Sequence, residues 1–497
     1  MRRFSYVTIF LLLLSTRVFA WPSHLDSLET WGTKPLVGHA ALAILGDTSL
    51  PARLQAALEA TYNLTPLYDK HGVAASVIVP GYPQWSGAAG TSDGTNPMSA
   101  ALSFEIGSCT KTFVAALILQ LRDEGKLSLS DSISKYLPRY PNVDSTITIA
   151  ELLDHSSGLY DYLNDDPAQR ALRDAYENDP AKHWTPAEIL DSFVGPENFK
   201  PGQGYRYSNT DYLLLGLIAD SITHQSTANE VHRRFLSPLQ MSHTFCSWED
   251  SIPANFPHNY SDYIPSIHRS VDYYSIDKTA QLTMANTAGG MVSVPAELAR
   301  WSQALYIGQI LSPATTAEML NPSNYHRLTD GFYYNLGTML EGQTSTGQLI
   351  YGHFGSMVGF VTGMATIPQD SVTVVVYVNS LTDTVIAANY VDALLYQILN
   401  SPQNGVAAGP EITEAVSVTP NPVRSLTNFW FYQPAMGPAE LSLYDDLGHR
   451  VRRIRNDGTP PGEQQIALNC AGLSNGAYFY RLKTPQSVKT GVLVVEQ

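Results

Sequence analysis

The chain has 497 residues, of which 44% are hydrophobic and 15% are charged, so it has enough apolar material for a large buried core. Its formal net charge of −15 at pH 7 argues against nucleic acid or an anionic membrane as a partner, because both would repel it. The chain has 3 cysteines, which cannot all pair and lie far apart in the sequence, so a disulfide framework is not expected.

The N-terminal segment has the composition of a signal peptide. Arg2 and Arg3 precede an apolar run at 9–14, and small residues end the segment at Ala20. The run is too short to anchor the chain in a bilayer, and later stretches are not long and apolar enough to do so. We therefore expect cleavage after Ala20, an exported mature protein and no transmembrane anchor.

The next informative element is a predicted helix that begins near Ser108. Three positions separate Ser108 from Lys111, so on a helix they share one face and the amine can reach the serine oxygen. An apolar run at 113–121 follows and Gly125 ends it, as in a buried helix. A serine hydroxyl becomes a nucleophile only when a base takes its proton, and Lys111 is the candidate base.

The spacing alone is weak evidence, because it recurs at Ser132 and Lys135. That copy lies in a polar stretch, which is typical of a solvated helical turn. Cys109 we interpret as a small core residue and His155 as a hydrogen-bonded structural histidine. Further helix starts are predicted by two capping boxes, at 148–151 and 185–188.

Tyr207 and Asn209 form the first partner motif. A Pro-Gly turn at 201–202 precedes them and an apolar helical stretch at 212–218 follows, which places a phenol and an amide on a tight connection beside a packed element. Other Tyr-x-Asn matches, such as those that begin at 140, 333 and 377, lack this context. Loops on rigid scaffolds commonly carry sites, so we assign both residues to the candidate site.

His353, Phe354 and Gly355 form the chain's only His-x-Gly motif. It lies among strand-like segments at 347–351, 359–368 and 371–379, which predicts an antiparallel edge beside the site. Gly355 is expected to let a substrate approach the backbone closely. A Lys-Thr-Gly at 489–491 is a rival, but it lies beyond a predicted domain boundary and begins the last strand, without a helix to complete an α/β layer.

In this order, the motifs resemble those of the serine β-lactamase and penicillin-binding-protein superfamily, specifically its class C-like branch. Segments 152–159 and 288–291 also resemble stretches usual in that branch. The resemblance covers residues 50–400. It implies an α/β (α+β) fold of the β-lactamase/transpeptidase type, with an antiparallel sheet flanked by helices and an all-α subdomain.

The resemblance also implies catalytic roles. Ser108 would be the nucleophile, Lys111 its base partner and Tyr207 the proton shuttle between hydroxyl and leaving group. Such a serine–lysine arrangement requires neither a metal nor another cofactor.

The substrate contacts implied by the resemblance come from the second and third motifs. Asn209 would orient both the substrate carbonyl and Lys111. His353 would assist Tyr207 from the far wall through its charge or a hydrogen bond, beside Gly355. The backbone N–H groups of Ser108 and Ser356 would form the oxyanion hole.

One departure from the family pattern bears on the substrate. Phe354 stands where carboxylate-recognising relatives often have Thr, and His353 replaces a lysine, so a free carboxylate would be attracted less. This weakens a strict carboxypeptidase or β-lactamase interpretation and favours an esterase or a D-amino-acid peptide hydrolase. The function expected from the resemblance is an exported serine hydrolase of the esterase, D-aminopeptidase or D,D-carboxypeptidase-like kind. A class C-like β-lactamase is the first alternative, and a catalytically silent binding or sensory protein is the second. Segments 161–183 and 251–277 are expected to line the pocket.

The composition changes at 401–411, and this segment is typical of a linker. Short alternating runs follow it and predict a small β-sandwich, at 415–418, 428–432, 441–444, 464–468, 477–482 and 492–495. This part resembles the C-terminal sorting domain of type IX secretion cargo; a carbohydrate-binding or other Ig-like module is the alternative. The resemblance implies the type IX machinery as a partner, with transport across the outer membrane to the surface or medium. The expected domains are 1–20 (signal peptide), 21–400 (hydrolase), 401–411 (linker) and 412–497 (sorting-type sandwich).

Overall fold

The computed structural model describes residues 49–64, 71–164, 171, 174, 178–264, 269–328, 331–344, 346–381, 386–399, 417–419, 423–433, 437–445, 450–459, 462–484 and 488–495. Contacts divide the chain into two compact units, Met1–Ser401 and Pro402–Gln497. The predicted signal peptide and linker lie outside the described residues.

The first unit is a mixed α/β structure. Its strands with described bounds are β1 (Gly72–Ile78), β2 (Trp85–Gly90), β3 (Phe104–Glu105), β4 (Phe245–Cys246), β5 (Tyr260–Ile264), β6 (Arg269–Asp272), β7 (Met291–Ser293), β8 (His326–Arg327), β9 (Tyr333–Asn335), β10 (Thr338–Gln343), β11 (Leu349–Met357), β12 (Phe360–Ile367), β13 (Val372–Val378) and β14 (Ser380–Leu381). Its helices with described bounds are α1 (Leu50–Leu64), α2 (Thr110–Asp123), α3 (Ile149–Leu153), α4 (Pro186–Phe193), α5 (Asn209–Thr223), α6 (Thr227–Val231), α7 (Thr279–Gly289), α8 (Pro295–Tyr306), α9 (Pro313–Met319) and α10 (Ile386–Leu399).

Within the described residues, eight strands form one sheet in the order β2-β1-β13-β12-β11-β10-β9-β8, and each neighbouring pair is antiparallel. Strand β13 is buried at every position because helices cover both faces of the sheet. Val374 and Val376 pack in a cluster with α1 and α10, whereas Val375 and Tyr377 pack in the larger cluster that contains α2. The predicted antiparallel sheet flanked by helices is confirmed.

The local helix signals of the sequence hold in the structure. The predicted apolar helix is α2, whose residues from Thr110 to Leu119 are all buried, and Gly125 follows it with φ 71°. Thr148 and Glu151 form a reciprocal capping box at the start of α3, and the Thr185 side chain accepts from the N–H of Glu188 at the start of α4. In the described part of the chain, none of the helices is both long and apolar enough to cross a membrane.

The second unit is a sandwich of two antiparallel sheets, in the orders β15-β16-β19 and β18-β17-β20-β21. Its strands are β15 (Ser417–Thr419), β16 (Leu426–Gln433), β17 (Gly437–Tyr444), β18 (Arg450–Thr459), β19 (Gly462–Asn469), β20 (Gly476–Lys483) and β21 (Val488–Val495). Buried residues of both sheets, such as Phe429, Leu441 and Leu482, share one core. The predicted sandwich is confirmed, but the sequence did not indicate β18, a largely exposed edge strand with four arginines.

Candidate active site

Ser108 lies in a short 3-10 turn that connects β3 to α2. The turn and β11 lie so close together that there is no room for a side chain at Gly107 or Gly355. A Cβ atom on Gly355 would lie 2.0 Å from the carbonyl oxygen of Ile106, and one on Gly107 would lie 2.6 Å from the backbone nitrogen of Ser356. Gly355 is therefore required for the contact between strand and turn, a reason different from the predicted approach of a substrate.

The same packing creates a local edge beside Ser108. Strand β12 pairs with residues 351–357 of β11, whereas β10 pairs only with residues 349–352, so β11 extends past the described pairing with β10. The backbone nitrogen of Ser108 lies 3.1 Å from a Cβ built on Gly355, so the N–H groups of Ser108 and Ser356 occur in one small region. Both residues are only partly buried. This geometry is suited to an oxyanion hole.

Lys111 is fully buried, and its amine is surrounded by acceptors. The Nζ atom lies 3.2 Å from Ser108 Oγ, 2.7 Å from Asn209 Oδ1 and 2.6 Å from the carbonyl oxygen of Ala288. Burial lowers the pKa of Lys111 from 10.5 to about 7, although the nearby charges of Asp161 and Asp211 act in the opposite direction. A large neutral fraction is therefore present near pH 7, as a base requires.

Helix α7, which carries Ala288, is distorted near its end. Asn286 leaves the helical conformation, with φ 44° and ψ −136°, and its carbonyl accepts from the N–H of Gly290 at 2.6 Å. A non-glycine residue in this region stores about 1–3 kcal/mol of strain, which commonly occurs at functional sites. The distortion precedes Ala288 by two residues.

Tyr207 is half-buried, and its ring lies directly beside the lysine. Lys111 Nζ is 4.8 Å from the centroid of the Tyr207 ring. The rings of His155 and Tyr334 contact Tyr207 at centroid distances of 4.4 and 6.1 Å. His155 is fully buried, with Nδ1 at 2.7 Å from Asp211 Oδ2, so it supports the ring of Tyr207 from within the core. The predicted residues Ser108, Lys111 and Tyr207 are thus brought together.

Asn209 also belongs to this group, and its amide oxygen and amide nitrogen contact different residues. Its Oδ1 accepts from Lys111, whereas its Nδ2 donates to the carboxylate of Asp161 at 3.0 and 3.2 Å. Only 3% of the residue is exposed. The structure therefore shows the predicted contact with Lys111 and adds a contact of the amide nitrogen with Asp161, whereas the predicted contact with a substrate carbonyl stays a prediction.

His353 is fully buried, and its two ring nitrogens contact the carbonyl of Phe354 and the hydroxyl of Tyr334. Its Nδ1 donates to the carbonyl of Phe354 at 2.6 Å, so its Nε2 accepts from the hydroxyl of Tyr334 at 3.1 Å. Burial, followed by the charge of Lys111, lowers the pKa of His353 to about 3, so it is neutral at physiological pH. The expected assistance by its charge is corrected: His353 orients Tyr334, whose ring then packs on Tyr207.

Several contributors were not assigned to the site from the sequence. They are Asp211, Tyr334 and the carbonyl of Ala288, and also Asp161, which was predicted only as the first residue of a pocket-lining segment. Each acts across a long sequence separation. A usable signal existed for the two aspartates, because both lie within apolar and aromatic stretches, at 159–163 and 210–215. Cys109 behaves as expected: it is fully buried, and burial raises the pKa of its thiol.

Elsewhere in the described residues, His232, Cys246 and Asp250 bring potential metal-ligand atoms within 4.8 Å of one another. Protein contacts already account for this group. His232 Nε2 donates to Asp250 Oδ2 at 2.7 Å, and the backbone N–H of Cys246 donates to the same oxygen at 2.6 Å.

The fold, an antiparallel sheet flanked by helices, thus brings Ser108, Lys111 and Tyr207 into one group. Residues 62–397 match the family model described as Beta-lactamase, so the chain belongs to this family, as the motifs indicated. Residues 417–496 match the model of the Secretion system C-terminal sorting domain, which confirms the second resemblance.

Individual relatives agree with this assignment. The chain is 25% identical to a D-amino acid amidase from Ochrobactrum anthropi SV3, solved in complex with D-phenylalanine, with a TM-score of 0.61 and coverage of 71% of this chain and 99% of that one. It is 27% identical to a penicillin-binding protein of Bacillus subtilis (strain 168), over 58% of this chain and 63% of that one. It is 37% identical to Protein flp of Staphylococcus aureus (strain MW2) over 29% of this chain, a match that spans only 28% of that relative.

Proposed function

We propose that this protein is an exported serine hydrolase that cleaves an amide or ester bond beside a neutral acyl group, through an acyl-enzyme on Ser108. The observation that carries the proposal is the environment of Lys111. Its buried amine lies 3.2 Å from Ser108 Oγ, and burial lowers its pKa to about 7. A purely binding protein has no need of an activated hydroxyl, which argues against the silent alternative.

In the proposed reaction, Lys111 takes the proton of Ser108 as Oγ attacks the substrate carbonyl carbon. The negative charge that develops on the carbonyl oxygen is stabilised by the N–H groups of Ser108 and Ser356. Collapse of this intermediate breaks the bond to the leaving group, which receives a proton through Tyr207. Water then attacks the acyl-enzyme, its proton returns through Tyr207 and Lys111, and the acid product leaves with Ser108 restored.

The surroundings of Phe354 support a neutral substrate. Phe354 is 7% exposed and packs in an apolar cluster with Leu328, Met339 and the ring of Tyr334. Partly exposed aromatic side chains adjoin this cluster: Tyr205, Tyr207 and Phe332. His353, which is neutral, offers no charge for a carboxylate. Because the Ochrobactrum relative is a D-amino acid amidase, D-amino-acid amides and short aryl esters are the substrates to test first.

Hydrolysis of β-lactams is the second candidate, favoured by the match to the Bacillus penicillin-binding protein. Both candidates use the same acyl-enzyme. They differ in whether a free carboxylate on the substrate is recognised.

The test combines intact-mass analysis with turnover. The wild-type protein is incubated with a fluorescent penicillin, an aryl ester, and D- and L-phenylalanine amide. We expect a covalent adduct on Ser108 and faster turnover of the ester or the D-amide than of the penicillin. Ser108→Ala should abolish both adduct and turnover. The matched control is Ser132→Ala, since Ser132 has the same spacing to Lys135 but lies in a polar turn where Lys135 pairs with Asp131.

Retention of turnover by a folded Ser108→Ala protein would refute the nucleophile assignment. Efficient turnover of penicillin, above that of esters and amides, would instead establish the β-lactamase alternative.

Export is the remaining part of the proposal. The match of residues 417–496 to a sorting-domain model supports delivery to the cell surface or medium by the type IX machinery. The signal peptide at 1–20 and the domain limits at 400 and 412 complete the proposed organisation.

A further inference from the structure

Asp161 is a buried carboxylate that reaches the candidate site through Asn209. It is 5% exposed, and its oxygens accept from Asn209 Nδ2 at 3.0 and 3.2 Å and from the backbone N–H of Asn209 at 3.2 Å. The Nδ2 of Asn164 and the backbone N–H of Leu163 also donate to it, at 2.5 and 3.2 Å. These contacts fix the carboxylate on the loop that follows α3.

This carboxylate determines which way the Asn209 amide points. A carboxylate can only accept hydrogen bonds, so the NH₂ group of Asn209 must face Asp161. The opposite orientation would place two acceptor oxygens against each other in a buried site. The Oδ1 atom is consequently directed at Lys111, 2.7 Å from Nζ.

The orientation of Asn209 has a consequence for the lysine. A neutral amine has two hydrogens and one lone pair. Asn209 Oδ1 and the carbonyl of Ala288 both lack hydrogens to donate, and they lie 2.7 and 2.6 Å from Nζ, so they hold the two N–H bonds of Lys111. The lone pair is then left for the third neighbour, Ser108 Oγ, at 3.2 Å.

We propose that Asp161 is a positioning residue for the activation of Ser108: by fixing the amide of Asn209, it commits the lone pair of Lys111 to the serine proton. The inference rests on the proposed function only in taking Ser108 as the nucleophile and Lys111 as its base.

The charge of Asp161 acts on the same lysine. The carboxylates of Asp161 and Asp211 both raise the pKa of Lys111 and so oppose the larger effect of burial. The other groups that face this amine are the buried thiol of Cys109, the imidazoles of His155 and His353, and the rings of Tyr207 and Tyr212, the last two with centroids 4.8 and 5.5 Å from Nζ. Loss of the Asp161 charge should therefore lower the pKa of Lys111.

The experiment measures the rate of acylation of Ser108 by an activated aryl ester as a function of pH, by burst kinetics. Because neutral Lys111 is the base, the rate rises with pH through the pKa of Lys111. In Asp161→Asn this acid limb should move to lower pH. The plateau rate, which is the acylation rate at pH values above the pKa of Lys111, should fall about tenfold, as expected when a charge-assisted hydrogen bond that orients a group is lost.

The double variant Asp161→Asn with Asn209→Asp exchanges the two side chains. An amide again faces a carboxylate, so the geometry is restored, but the negative charge now contacts Lys111. The plateau rate should recover and the acid limb should move above the wild-type position. Asp220→Asn is the matched control, a half-exposed carboxyl on the same helix as Asn209, about 16 Å along its axis, bonded to Thr227. Its profile should equal that of the wild type.

A folded Asp161→Asn protein with an unchanged plateau rate and acid limb would overturn the proposal. A double variant whose acid limb does not move to higher pH would also overturn the proposal. If Asp161→Asn alone does not fold, the double variant provides the test. An aryl ester reports on Ser108 whatever the natural substrate is. A wild-type protein that is acylated by the ester but hydrolyses no amide would refute the proposed substrate and leave this inference intact.

Discussion

Lys111 should make the stability of this protein depend on pH, and Lys111→Met should remove that dependence. Burial lowers the pKa of Lys111 from 10.5 in an unperturbed side chain to about 7. Between these two values, the unfolded chain binds a proton at this position that the folded chain does not. The folded state of the wild type therefore loses stability as the pH falls through this window. A pKa difference of this size corresponds to about 5 kcal/mol.

Methionine fills a similar volume but does not titrate. The substitution leaves Asn209 Oδ1 and the carbonyl of Ala288 without their amine donor, which costs about 1–3 kcal/mol for each buried acceptor. That cost does not vary with pH. We therefore expect the stability of the variant, relative to the wild type, to fall by about 5 kcal/mol as the pH rises from about 7 to about 10.5.

Urea unfolding at several pH values in this window measures the effect. Lys135→Met is the control, because Lys135 is solvent-exposed and its ion pair with Asp131 is a surface contact. Its stability difference from the wild type should stay nearly constant up to about pH 10. A constant difference for Lys111→Met as well would mean that Lys111 remains charged in the folded protein at neutral pH and would rule it out as the base at that pH.

Three further predictions concern the relay, the pocket and the tail. Lys111→Met and Tyr207→Phe should each slow acylation about 100-fold or more in single-turnover kinetics, and the double variant should lose much less than the product of the two, because the groups share one proton relay; multiplicative losses would separate them. Phe354→Thr should reduce the preference for aryl esters over penicillins in kcat/KM, whereas Phe354→Leu should preserve this preference. If both substitutions changed the preference equally, a role for the threonine hydroxyl in recognising the penicillin carboxylate would be excluded. Deleting residues 411–497 should leave ester hydrolysis unchanged, since each unit has its own core, but prevent export in the native host, as checked by cell fractionation. Truncated protein at the surface would contradict the sorting role.

Features that depend only on residues close together in the chain could be predicted from the sequence. The three-residue spacing of Ser108 and Lys111 places them on one face of any helical turn, and capping boxes define helix starts wherever they occur. The valine-rich β13 and the alternating strands of the second unit follow from the same kind of local pattern. Strand β18 was missed because its exposed arginines give no apolar alternation to detect.

The contacts of Lys111, the proposed base, were decided by the tertiary structure. Its acceptors are supplied by Asn209 on α5 and by Ala288 near the end of α7, and the orientation of Asn209 is fixed by Asp161 on a third segment. The low pKa of Lys111 arises because packing removes water from its amine, which no local pattern records. The sequence determined which chemical groups are present and which short segments carry them. Only the fold decided their distances, their burial and therefore their protonation, because these properties depend on residues far apart in the chain.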